Sequence, residues 1–157
     1  MTAVVLESFK AFIVCAIGVA LFSLLLRAPK RALIPAALLS GLGFLLYRSA
    51  LLLGAPELLS YFIGAVAISS GAEWLARRIK MPVLIFLFPG IVPLVPGLGL
   101  YTTMLHLIRR DYELFIQTGA QTFFIAGVIV VSVVLTGTAA RQISAFLQKR
   151  RSTKSGI

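Results

Sequence analysis

Long apolar runs separated by short connections dominate the chain. A membrane crossing takes about 20 mostly apolar residues. Five stretches have that character: Val4 to Leu26, Leu33 to Leu53, Leu58 to Leu75, Met81 to Ile108 and Leu114 to Ala140. The links carry charges or breakers, as in Arg27-Ala28-Pro29-Lys30-Arg31 and Gly54-Ala55-Pro56-Glu57. This pattern predicts an all-α integral membrane protein, a bundle of about five transmembrane helices whose fourth is broken by Pro and Gly. Residues 1–140 form one helical domain, and residues 141–157 form a basic cytoplasmic tail. The first run is read as a retained span and not a cleaved leader. Glu7 offsets Lys10, and no small-x-small cleavage pattern follows Leu24-Leu25-Leu26.

Composition sharpens this picture. The chain is 59% hydrophobic, and only 13% of its residues are charged, against about 25% in a soluble domain. Its mean hydropathy is +1.00. In 157 residues there is too little interior to hide so much apolar surface from water. A single cysteine, Cys15, lies within the first run, and there is one histidine. No Cys/His set has metal-ligand spacing, and no nucleophile and base pair is in evidence, so neither a metal, a cofactor nor an enzyme activity is expected.

The formal net charge of +10 raises the question of nucleic acid. The basic residues instead fall in clusters between the apolar runs, where membrane proteins keep their cytoplasmic charges. With five spans and the N-terminus outside, eleven of the 15 Lys and Arg lie inside and four, Lys10, Arg48, Arg109 and Arg110, outside. If the second run did not span and the N-terminus lay inside, the split would be nine and six. The five-span arrangement is favoured, with a cytoplasmic C-terminus and Arg48 snorkelling to the outer interface. Charge attraction of a substrate is the remoter role for Arg48.

Small residues mark candidate helix contacts, because close backbone approach replaces the hydrophobic drive in lipid. Gly64, Ala67, Ser70 and Gly71 lie in the third run, and Ser132, Thr136 and Ala140 in the fifth. Glu73 and Arg77 are four apart in the order that favours an ion pair, beside Trp74 as an interfacial anchor.

The stretch that carries chemistry is Pro89-Gly90-Ile91-Val92-Pro93-Leu94-Val95-Pro96-Gly97-Leu98-Gly99. Three prolines and three glycines in eleven residues forbid a regular helix. The stretch lies halfway along the uncharged run from Lys80 to Arg109, which places it near the bilayer midplane. Broken backbone survives there only when buried in protein or lining a wet cavity. Transporters use such breaks to bind substrate. The expected form is two half-helices, Met81 to Phe88 and Gly97 to Ile108, the second presenting free N–H groups around Gly97 to a carboxylate. A kinked helix serving packing alone is the competing form. A re-entrant hairpin is opposed by the charge count.

The candidate substrate-binding residues are therefore Pro89, Gly90, Pro93, Pro96, Gly97 and Gly99, followed by Tyr101, Thr102 and Thr103. His106 shares a face with Thr102 and has two roles open to it, proton coupling or a place near the outer interface.

The motif Phe88-Pro89-Gly90-Ile91-Val92-Pro93-Leu94-Val95-Pro96-Gly97, followed by Tyr101, resembles the threonine/serine exporter family. The likeness is to its C-terminal membrane half, which also occurs as a small YjjB-type subunit. The resemblance implies a secondary exporter of small amino acids or dicarboxylates such as succinate in a cytoplasmic (inner) membrane. It implies a larger YjjP-type partner that supplies the other half, and a second copy of this chain is the other candidate partner. An odd number of spans would set the two halves in inverted orientation. A membrane scaffold without a substrate site is the alternative.

Overall fold

The computed structural model describes the backbone of residues 2–154, and the side chains of residues 10, 12–143 and 146. The side chains of Glu7, used above to read the first run as a retained span, and of Lys149, Arg150, Arg151 and Lys154, four of the eleven inside charges, lie outside the described residues. The order of elements is α1 (Thr2–Leu25), α2 (Lys30–Leu52), α3 (Glu57–Ile79), α4 (Leu84–Ile91), a 3-10 turn (Val92–Leu94), α5 (Gly97–Ile108) and α6 (Tyr112–Lys154). Among the described residues, α2, α3 and the Tyr112–Ile143 part of α6 are each long and apolar enough to cross a membrane. The Leu84–Leu94 and Gly97–Ile108 pair makes a fourth crossing, bent by 50°. The apolar part of α1 among those residues, Phe12–Leu25, is shorter than a full crossing. The protein is an all-α membrane bundle.

Local sequence sets the helix ends. Pro29 and Pro56 stand immediately before α2 and α3, where a missing N–H costs nothing. Glu57 opens α3, while Arg77 and Arg78 close it, matching the helix dipole at both ends. Lys80 then stops the helix in the left-handed conformation, with φ of 57°. The second run, the weakest span in the sequence, forms a continuous 23-residue helix despite Pro35, which falls early in α2.

Small side chains let the helices approach, as expected in lipid. Ala32 and Ala36 of α2 pack with Ala72 and Ala76 of α3 around Phe86 of α4. Gly43 of α2 lies so close to Ile68 that a Cβ would overlap it, and a Cβ on Gly64 would lie 3.2 Å from the Gly43 carbonyl oxygen. Gly71 is similarly closed by Leu39. Gly64 and Gly71 therefore form a true contact face, whereas Ser70 is exposed and donates to the Val66 carbonyl at 2.6 Å. In α6, Ser132 is buried and Thr136 half-buried, each bonded to its own helix. The first helix packs on α2 and meets α4 through stacked Phe22 and Phe88 rings at 6.4 Å.

The direction of the helices follows from two contacts. Gln121 of α6 donates to Glu57 at the start of α3, and Arg77 near the end of α3 donates to the Ala140 carbonyl. Thus α3 and α6 run parallel along one seam, so the α4–α5 pair between them must cross the bundle. A re-entrant hairpin would have made α3 and α6 antiparallel.

The break itself is narrower than the sequence suggests. The first arm does not end at Phe88. It starts at Leu84 and continues as helix through Pro89 to Ile91, then as a 3-10 turn to Leu94. Pro89 forfeits one helical hydrogen bond, and the burial of Pro89 and Gly90 against the bundle offsets that loss. A Cβ on Gly90 would lie 3.0 Å from Ile68, so this glycine is a packing residue. The chain opens only at Val95 and Pro96, where Val95 is extended with ψ of 126°.

Candidate functional site

The second arm begins at Gly97, where the sequence places it. Pro96 caps α5 without a side-chain hydrogen bond, and the N–H groups of Leu98 and Gly99 have no acceptor within the helix. The Gly97 N–H turns back to the Val95 carbonyl at 2.7 Å. Gly99 then meets α6: a Cβ there would lie 2.5 Å from Thr122 Oγ1. Thr103 packs on Gly119 one turn further along, so α5 descends antiparallel against the first part of α6.

Around this start lies a cavity of about 290 Å³. Val95, Pro96, Gly97, Leu98, Gly99 and Thr102 form one wall, Glu57 and Tyr61 of α3 the second, and Thr118, Gln121, Thr122 and Ile125 of α6 the third. The Gln121 side-chain amide donates to Glu57 Oε2 at 2.6 Å, which fixes both side chains at the rim. Tyr61 is held by the Tyr47 ring, 4.5 Å away between centroids. The hydroxyls of Thr102 and Thr122 donate to carbonyls of their own helices, at Leu98 and Thr118, and keep acceptor lone pairs for the cavity. The arrangement offers backbone donors, one carboxylate, one amide and hydroxyl acceptors to a small polar molecule.

The sequence-predicted residues divide cleanly. Pro96, Gly97, Gly99 and Thr102 line the cavity together. Pro89 and Gly90 are buried in the first arm, and Pro93 is half-buried in the turn below the break. Thr103 faces α6 and bonds the Gly99 carbonyl. Tyr101 is 63% exposed on the outer side of α5. His106, two turns from the break, is half-buried, and its Nδ1 is buried without a hydrogen-bond partner. It does not reach the cavity.

Glu57, Tyr61, Thr118, Gln121 and Thr122 were not singled out by sequence. A faint signal existed. Thr118 and Thr122 recur at helical spacing with Gln121 beside them, polar positions at the head of an otherwise apolar run.

In the structure the break lies beside the first turns of α3, next to Glu57 and Tyr61, and α5 runs back from it along Thr122 and Gly119 of α6.

A second cavity of about 630 Å³ lies at the opposite end of the same seam, between α3, α4 and α6. Glu73 and Arg77 border it, their ion pair at 3.5 Å as the spacing predicts.

Residues 11–139 match the threonine/serine exporter family, ThrE. The chain belongs to this family. The match includes the broken fourth crossing and every residue lining the smaller cavity. No curated protein and no solved structure matches the chain. Membership makes the protein an exporter-type transporter of the multi-pass membrane class, and the cavity at the ThrE break is its candidate substrate site.

Proposed function

We infer that the chain is one half of a secondary exporter of small carboxylate-bearing metabolites, threonine and serine or dicarboxylates such as succinate. It works in the inner membrane with a larger YjjP-type subunit, its N-terminus outside and its C-terminus in the cytoplasm. The observation that carries the reading is the meeting of the α5 N-terminus with Glu57 and Gln121 around one small cavity. A carboxylate suits the free N–H groups of Leu98 and Gly99. The Glu57 carboxylate repels a second negative charge and attracts an ammonium group. An amino-acid zwitterion thus satisfies both walls, and a dicarboxylate satisfies one. Threonine and serine are favoured over succinate on this ground. The side-chain hydroxyl of either substrate finds acceptors at Thr102 and Thr122.

The reading is tested by export from cells that express this chain alone, the partner alone, or both, with intracellular threonine, serine and succinate followed after peptide or dicarboxylate loading. Faster loss of threonine or serine in the pair alone is the expected result. Unchanged loss of all three, with both proteins present in the membrane, overturns it in favour of a scaffold role.

A further inference from the structure

The two cavities lie on one line. Along α3 the order is Tyr61 at the smaller cavity, then Ala65 and Ile68, then Ser69 and Glu73 at the larger. Along α6 it is Ile125, then Ile129, then Val133 and Gly137. Between the cavities, Ile68, Ile125 and Ile129 close around Leu94 of the 3-10 turn, which is 1% exposed. A plug of four branched side chains therefore separates two cavities, each with charged and hydroxyl groups on its wall, that lie at opposite ends of the same seam.

The larger cavity is not simply a gap in the packing. Ser69 lines it, is 3% exposed, and its hydroxyl has no hydrogen-bond partner. A buried hydroxyl left without a partner is costly. Glu73 supplies a carboxylate to the same wall, and Arg77 and Arg141 supply guanidinium groups. Cation, anion and hydroxyl around one space match a hydroxy-amino-acid zwitterion: carboxylate on Arg141 and Arg77, ammonium on Glu73, hydroxyl on Ser69.

We propose that the larger cavity is a second station for the transported amino acid, and that the Ile68–Leu94–Ile125–Ile129 plug is the closed barrier between the two stations. The inference rests on the exporter reading of the smaller cavity. Leu94 belongs to the broken crossing itself, so a change of bend at Val95 and Pro96 would move the barrier.

The test uses the full-length chain co-expressed with its partner in sealed membrane vesicles of both orientations. Cys15, the one native cysteine, is replaced by serine. Ser69→Cys and Gly97→Cys report on the two cavities. Ser69→Cys is nearly isosteric, and a Cβ at Gly97 meets nothing within 4 Å. An impermeant maleimide should label the two variants from opposite sides of the membrane. Threonine should slow both reactions severalfold. Arg141→Gln should raise the half-protecting threonine concentration about tenfold at the Ser69→Cys position, by loss of one charge-assisted contact, and leave it unchanged at the Gly97→Cys position. Adding Leu94→Ala should let reagent from either side reach both positions. Protection of the Gly97→Cys variant alone overturns the second station and leaves the first. Labelling of both from the same side overturns the barrier. Protection of neither overturns the exporter reading and this inference with it.

Discussion

Gly99 of α5 faces Thr122 of α6 so closely that a Cβ on the glycine would lie 2.5 Å from the threonine Oγ1. Gly97, two residues earlier, has open space where its Cβ would be. The two glycines of the motif thus act differently, one by shape and one by leaving the cavity clear. Gly99→Ala should destabilise the bundle by about 1–3 kcal/mol, the usual cost of overpacking. Gly97→Ala should change stability by less than about 0.5 kcal/mol. Thr122→Ala removes the obstructing atoms, so the double variant should recover most of the loss, and a double-mutant cycle would show the coupling. Equal losses from the two glycine variants in detergent unfolding would mean that α5 does not pack on α6 in this register.

Glu57 and Gln121 join α3 to α6 at the rim of the same cavity through a 2.6 Å hydrogen bond. If the carboxylate receives the substrate ammonium, Glu57→Gln should raise the threonine concentration for half-maximal efflux about tenfold, the effect of losing one charge-assisted contact. The same change should narrow the preference for threonine over succinate, because the repelling charge is gone. Gln121→Ala leaves the carboxylate in place and should weaken threonine severalfold less. Efflux assays in vesicles decide this. An unchanged half-saturation in Glu57→Gln would remove Glu57 from the site.

The sequence made the helices legible and the site only in part. Apolar length marked the runs that became α2, α3 and α6, and the step from Pro96 to Gly97 marked the start of α5. These are local properties of the chain. The partners of the α5 N-terminus are not local. Glu57 reads in sequence as a charge in a connection, yet parallel packing of α3 on α6 brings it to Gln121, 64 residues later. Pro89 and Gly90 show the opposite failure. Both have the composition of an opened loop, but both are buried within α4, Gly90 against Ile68. Proline and glycine count how often a helix can be broken, and packing decides where it is.

Ile68 receives three of these close approaches. A Cβ on Gly43 would overlap it, a Cβ on Gly90 would touch it at 3.0 Å, and Leu94 packs beside it. Ile68→Ala should therefore cost about 2–5 kcal/mol through the cavity it leaves. Gly43→Ala in the native background should cost about 1–3 kcal/mol through overpacking. Combining the two should cost less than their sum, because the new methyl fills space that the isoleucine vacated. Reversible unfolding in mixed micelles gives all three values. Strict additivity would mean that Gly43 and Ile68 do not share a contact.

The parallel course of α3 and α6 constrains topology independently of charge. Since the α4–α5 pair crosses once between them, the Arg109-Arg110 turn and the Arg27-to-Arg31 connection lie on opposite sides. Positive residues then choose between the two mirror orientations. Arg27, Lys30 and Arg31 supply three of the eleven charges assigned to the cytoplasm. A reporter at the C-terminus should be cytoplasmic, and a cysteine placed at Asp111 should react with impermeant reagent from outside. Replacing Arg27, Lys30 and Arg31 by serine should move a measurable fraction of molecules to the inverted orientation, visible as outside reactivity of a cysteine placed at Lys80. Because α3 and α6 remain parallel in either orientation, the Lys80 and Asp111 positions should never react from the same side in one molecule. Dual reactivity from one side in a single population would contradict the crossing of the broken helix, whatever the charge balance.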